Sequence, residues 1–155
     1  MYDKDFGEII FDSNVDPDFL GKFHLRLFEN DYSLELRIIN SSDSGITEKQ
    51  RQTFREFLQN EDRICNDIEK RMFEYYNSEV NEKSEDCEDG FAIQPAKTIS
   101  EIGSNVTPII LGVENYSKDN IINILFNLSW DSEAGIGIRL RNTIIDCIGT
   151  QAEII

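Results

Sequence analysis

The chain has little of what most enzymes and stapled domains are built from. Its 155 residues include one histidine, His24, and three cysteines, Cys65, Cys87 and Cys147. An odd number of widely spaced thiols argues against a disulfide framework and for a reducing compartment. No pair has Cys-x-x-Cys spacing and only one imidazole is present, so the ligand set of a structural zinc site is missing. The same scarcity leaves no Ser-His-Asp or Cys-His arrangement to nominate. No apolar run is long enough to span a bilayer, and the opening MYDKDFGEIIFDSN is acidic and lacks the apolar core of a secretory signal. The expectation is a cytoplasmic protein without cofactor or metal.

Positive charge is also scarce. Against 30 acidic residues stand 15 basic ones, for a formal charge of −15. Such a field repels phosphates and anionic lipid, so nucleic acid and membrane are not expected partners. It favours a basic protein partner and raises the on-rate for one, and it also keeps the chain soluble. With 39% hydrophobic and 29% charged residues the composition is globular. The length suits one domain over 1–155 with a core of its own.

Along the chain, Phe6 to Phe11 reads as a short strand. Asp12, Asn14 and Asp16 alternate like the start of a calcium loop. Pro17 and Phe23 stand where that loop needs glycine and glutamate, so the segment reads as a polar turn. Gly21 to Phe28 and Tyr32 to Ile39 form the clearest hairpin. Phe23, Leu25 and Leu27 alternate with Lys22, His24 and Arg26, while Leu34, Leu36 and Ile38 alternate with Glu35 and Arg37. Period-two alternation gives one buried and one wet face, with the turn expected at Glu29-Asn30-Asp31. His24 falls on the wet face, where no nucleophile or carboxylate is positioned by spacing, and reads as a surface residue.

Thr47-Glu48-Lys49-Gln50 matches a capping box, and helical periodicity follows through Phe54, Phe57, Leu58, Ile64, Ile68, Met72 and Tyr76. Asn60 before Glu61 and Asp62 resembles a second N-cap, where the helix bends or restarts. Residues 79–105 lose the periodicity and read as an acidic loop insertion. In it Glu79, Glu82, Glu85, Asp86, Glu88 and Asp89 face only Lys83. Carboxylates around Cys87 disfavour its thiolate. The last third, Val106 to Asn115, Ile121 to Trp130, Gly135 to Arg141 and Thr143 to Ile148, fits a four-stranded meander. Pro108 is expected at a strand start or edge, and Asn142 in a turn.

The stretch Trp130-Asp131-x-Glu133-x-Gly135-x-Gly137 admits three readings. Asp131 and Glu133 would supply an acid–base pair, but turns favour such residues anyway. A structural corner accounts for more. Trp130 anchors a strand end, Asp131 receives turn amides, Gly135 supplies positive φ, and Gly137 lets a neighbouring aromatic lie on the strand. A partner-binding surface is the third. The glycines lack the following helix and lysine of a phosphate loop.

The run Ile46 to Gln50 leading to Tyr75-Tyr76, with the Trp130-Asp131-x-Glu133 hairpin, resembles a group of bacterial domains that pair a TEKQ helix ending in a double tyrosine with a WDxEHGxG hairpin. Ala134 stands where that pattern has histidine. The resemblance implies an immunity or accessory protein encoded beside a polymorphic toxin, with no catalytic residue to carry over.

Together these readings give an α+β domain. A largely antiparallel sheet of six or seven strands carries the residue 47–78 helices across one face. The functional expectation is a non-enzymatic immunity-type protein that occludes the active site of a basic toxin domain. Glu82, Glu85, Asp86, Glu88 and Asp89 would steer the encounter, and contacts around Trp130, Asp131 and Glu133 would hold the complex. The alternatives are a regulatory interaction domain with another partner, or an enzyme using Asp131 and Glu133.

Overall fold

The computed structural model describes residues 1–12, 18–39, 45–86, 95–115, 118–129 and 131–154. Two short strands, β1 (Tyr2–Asp3) and β2 (Gly7–Glu8), pair as a ribbon. A seven-stranded sheet then runs in chain order: β3 (Ile10–Asp12), β4 (Asp18–Leu27), β5 (Asn30–Ile38), β6 (Val106–Val113), β7 (Ile121–Leu128), β8 (Asp131–Arg141) and β9 (Ile144–Gly149). Every neighbouring pair is antiparallel except β5 and β6, which are parallel. A parallel neighbour cannot be reached by a tight turn. The crossover here is α1 (Glu48–Gln59), α2 (Glu61–Asp86) and α3 (Ile99–Ile102), and a last short helix, α4 (Gln151–Ile154), follows β9. The α+β class is as the sequence reads, with seven strands in the main sheet.

Alternation decides which face the helices cover. Leu25, Leu27, Leu34, Leu36, Ile38, Leu111, Val113, Ile122, Ile124, Phe126, Ile136, Ile138 and Leu140 form one buried layer with Phe54, Phe57, Ile64, Ile68, Met72 and Tyr76 of the helices. The α1–α2 stripe is therefore core, except for Leu58, which faces solvent at the end of α1. The chain restarts as helix at Asn60, whose carbonyl accepts from Ile64 while its side chain caps back onto Glu56.

Several boundaries differ from the alternation pattern, each for a physical reason. The Phe6–Phe11 run does not form one strand. Gly7, at φ +76°, closes the turn from β1 so that β2 joins the ribbon; past Ile9, whose amide still bonds Met1 O, the chain joins the main sheet as β3. The β4–β5 turn is Phe28-Glu29, two residues with positive φ (52° and 64°), and Asn30 already pairs with Leu27. Left-handed backbone is costly for phenylalanine. Its ring is fully buried and its amide donates to Glu69 Oε1 at 2.9 Å, which holds it there. Asn142 does lie in the last turn, with Thr143, both at positive φ. Pro108 sits in the third position of β6, at a register shift and ahead of Ile110, where pairing with β5 begins. Its missing N–H thus removes no rung from the parallel pair. Helix α2 runs on to Asp86, beyond the expected end at 78, so the acidic stretch begins as helix rather than loop. Asn14, Asp16, Pro17 and Cys87 lie outside the described residues.

Gln50 fastens the crossover to the sheet. The capping box forms: Thr47 Oγ1 accepts from the Gln50 amide at 3.1 Å and Gln50 Oε1 accepts from the Thr47 amide at 3.1 Å. The other end of the same side chain is fully buried and donates to Ile39 O at 2.8 Å and Val113 O at 3.4 Å, the carbonyls where the parallel strands end. A capping box accepts glutamate or glutamine, but only the amide has a donor for those carbonyls. Gln50→Glu keeps the shape and puts a carboxylate against two oxygens. It is expected to cost roughly 2 kcal/mol or more at pH 7, with partial recovery as acid protonates the new group. Denaturant unfolding across pH 4–8 checks this, and a neutral effect would refute it.

The β1–β2 ribbon is clasped onto α1 by charge. Arg51 meets Asp3 at 2.8 and 2.9 Å and Asp5 at 2.7 Å, with its guanidinium 5.9 Å from the Phe6 ring centre. These side chains are all more than four-fifths buried. Arg51, with help from the amides of Asp5 and Phe6, holds the Asp3 carboxyl down to about 2, below its ordinary 3.8. A depressed carboxyl stabilises the fold above its unfolded value, and that stability is lost as pH falls from about 4 through 2. The difference amounts to about 2 kcal/mol. The stability gap between wild type and Asp3→Asn should have that size at pH 7 and close over this window. A gap that does not change with pH would refute the clasp.

Candidate binding surface

Helix α2 begins beside the β8–β9 turn, where Arg63 donates to Thr143 O at 3.0 Å and Oγ1 at 2.8 Å. It crosses the sheet to the opposite end of the strands. There Glu69 caps the Phe28 turn, Asn105 donates to the Tyr76 hydroxyl at 3.1 Å, and Asn77 bonds both ways with the Ala96 backbone. Asn105 in turn accepts from the Ser129 amide at 2.9 Å and from its hydroxyl at 2.7 Å. The second tyrosine of the pair is thus a buried tether between α2 and the corner that leads into β8.

This tether decides where the expected site residues fall. Glu82, Glu85 and Asp86 lie on the last turns of α2, which continues about 13 Å past Asn77 at helical rise. Asp131 opens β8 opposite Leu128, and Glu133 is exposed two residues on. Both stretches sit at the same end of the molecule, together with exposed Glu29, Glu74 and Glu101. Glu88, Asp89 and Trp130 lie outside the described residues.

The arginines do little to offset this field. Every arginine is engaged within the fold. Arg26, Arg37, Arg51, Arg55, Arg63, Arg71 and Arg141 pair with acids, and Arg139 donates to Asn123 Oδ1 and Ile154 O. Arg141, first through its hydrogen bond, holds the Asp119 carboxyl below its ordinary range. With the arginines paired, the net charge of −15 still leaves an acidic outer field.

The glycines of the WDxExGxG stretch have a different occupant from the one expected. Gly135 does take positive φ (59°). Gly137 makes room not for an aromatic but for Ile154: a Cβ at this glycine would lie 2.6 Å from Ile154 Cγ1 and 2.7 Å from its Cβ. A Cβ at Gly135 would meet Gln151, and one at Gly149 would meet Glu153. These glycines form a flat seat for α4 on the sheet face away from the main helices. Gln151 Nε2 donates to Phe126 O at 2.7 Å and Arg139 to Ile154 O at 2.6 Å, which fix the tail there. The seat has no local signature, because the residues it accommodates come from the end of the chain.

On that same face one row of the sheet reads Arg37, Gly112, Asn123, Arg139. Asn123 and neighbouring Glu114 are buried and joined at 3.0 Å. His24 is exposed opposite Ser33, among the β4 side chains in solvent, as its alternation implies. Burial first, then Glu61, Glu69 and Asp62, pushes the Cys65 thiol up to about 12, so it stays protonated. Two open grooves flank the outward ridge of α2. One, of about 430 Å³, is lined by Lys70, Phe73, Glu74, Lys97, Thr98 and Ile99. The other, of about 290 Å³, lies against Ile144 and Ile145. Among the described residues no cluster of three or more His, Cys, Asp or Glu is placed to hold a metal ion, and no helix is long and apolar enough to cross a membrane.

The fold and surface define an α+β domain with a seven-stranded mixed sheet, the long helices on one face, a short C-terminal helix on the other and an acidic end. The chain belongs to the family described as a domain of unknown function (DUF6985), whose model matches residues 5–155. No curated protein and no solved structure matches it.

The tail seat is testable by a cycle. Gly137→Ala is expected to lose roughly 1–3 kcal/mol in thermal or denaturant unfolding through the clash with Ile154. In a chain shortened to end at Thr150 the same substitution should be nearly neutral. An equal loss in both backgrounds would mean that α4 is not what Gly137 accommodates.

Proposed function

We propose that the chain is an immunity-type binding protein that neutralises a basic bacterial toxin domain by covering its active site. The observation that carries this is the convergence of the acidic end of α2 with the Asp131–Glu133 corner at one end of a chain of charge −15. The sequence resemblance to domains encoded beside polymorphic toxins points the same way. Glu82, Glu85 and Asp86, with Glu88 and Asp89 next in sequence, set the long-range attraction and so the rate of encounter. Trp130, Asp131 and Glu133 supply contacts that set the residence time, since aromatic anchors dominate such energetics.

Affinity capture from the native cell is expected to recover one dominant basic protein domain in near-stoichiometric amount. Lysine substitution of Glu82, Glu85 and Asp86 together should then slow association by roughly tenfold or more at low salt. The dissociation rate should change far less. Recovery of no basic partner would defeat the proposal, and so would an association rate indifferent to these charges. The enzymatic alternative has its own test. Asp131→Asn with Glu133→Gln should abolish turnover of its substrate and leave stability intact, whereas loss of stability as the main effect favours a structural corner.

A further inference from the structure

We propose that Tyr76 and Asn77, acting through the segment from Ala96 to Asn105, are positioning residues of the binding surface. They fix the bearing of the acidic end of α2 on the Asp131–Glu133 corner, so that a basic protein partner meets both stretches in one rigid arrangement. The inference rests on the toxin-binding reading and names how its two-part surface is held.

The connection is polar and runs from helix to corner without a gap. Among the described residues Tyr76 is the last that α2 gives to the apolar core, and it is 2% exposed. Its hydroxyl accepts from Asn105 Nδ2 at 3.1 Å. The next residue, Asn77, accepts from the Ala96 amide at 2.9 Å and donates to the Ala96 carbonyl at 3.3 Å. These contacts hold both ends of the segment that carries α3.

Asn105 then engages every polar atom it has. Its amide donates to Ile102 O at 2.9 Å and its carbonyl accepts from the Ser129 amide at 2.9 Å. Its Oδ1 accepts from the Ser129 hydroxyl at 2.7 Å. Ser129 stands two residues before Asp131, where β8 opens. One asparagine thus joins α2, α3 and the corner. Apolar packing tolerates a small rotation of a helix, whereas hydrogen bonds are directional and weaken steeply when misaligned.

The lever explains why such a joint matters for binding. Helix α2 continues from Asn77 to Asp86, a reach of about 13 Å at helical rise. A swing of roughly 10° about Asn77 moves the far end by about 2 Å. Packed contacts lose much of their attraction once a gap of about 1 Å opens. The attraction between charges instead fades over a Debye length of about 8 Å at physiological salt, so it barely registers the swing. The tether therefore governs residence and not encounter. With both stretches preset, the second contact needs no further ordering.

Amide residual dipolar couplings of the full chain read this bearing without a partner. In the wild type, couplings of residues 79–86 are expected to fit the alignment of β7 and β8. In Tyr76→Phe with Asn77→Ala, which keeps the ring and the helix propensity, they should shrink while those of the sheet stay. On the captured basic domain the double variant should dissociate roughly tenfold faster at an unchanged association rate. Residues that only stabilised the fold would move neither readout well below the melting transition. Averaged couplings over 79–86 already in the wild type, couplings unchanged in the variant, or an unchanged dissociation rate would overturn the proposal. Should the double variant unfold, each single substitution, read in the same way, decides. Capture of no basic domain overturns the toxin reading and this use of the tether with it. Unchanged couplings overturn the tether alone, so the two failures are told apart.

Discussion

The architecture depends on one joint, the parallel contact between β5 and β6. Before it the described strands pair as ribbon and hairpin, and after it as a meander, each with its neighbour in sequence. The joint alone requires a long crossover, and a crossover must be held at the strand ends or the two halves slide. Gln50 does this with one side chain. Its oxygen closes the N-terminus of α1, and its amide nitrogen satisfies the carbonyls of Ile39 and Val113 on the two strands. Helix start, strand end and sheet register are thereby coupled. A buried, fully bonded amide specifies geometry more tightly than apolar contact, because any displacement leaves its polar atoms unsatisfied.

From this joint the uses of the two sheet faces follow. The face under α1 and α2 is apolar throughout and closed. The other face is polar toward β4 and β5 and closed toward β8 by a four-residue helix lying on glycines. The diagonal path of α2, pinned at Arg63, Glu69, Tyr76 and Asn77, carries its acidic end beyond the strands. The arginines spend their charge on pairs within the fold, and Lys70 and Lys97 line the groove beside Glu74. Ile10 and Phe11 of β3 stay exposed, away from the core that the two faces share.

How much was legible in the sequence depended on the range of the interactions involved. The capping box, the restart at Asn60, the alternation of β4 and β5 and the turn at Asn142 all rest on residues within a few positions of one another, and the structure has them as read. The Phe28-Glu29 turn was not legible. Its conformation is imposed by burial of a ring and by Glu69, 41 positions away. The end of α2 was misplaced because the apolar stripe stops near Tyr76, whereas the backbone bonds continue without it. Gly137 read correctly as a place of close approach, but its occupant, Ile154, is invisible to local pattern. The Arg51 clasp on Asp3 and Asp5 has no local signal, since its partners lie more than forty positions apart.

By itself, then, the sequence determined the periodicities, caps and turn chemistry that make these elements, and the charge that makes the surface acidic. These are set by neighbours along the chain and by composition, which no fold can alter. Only the tertiary structure decided which strands lie side by side, and that the acidic helix end and the Asp131–Glu133 corner share one end. Those are relations between distant segments. They are settled by which burial leaves the fewest backbone and side-chain polar groups without a partner, a condition on the whole chain at once.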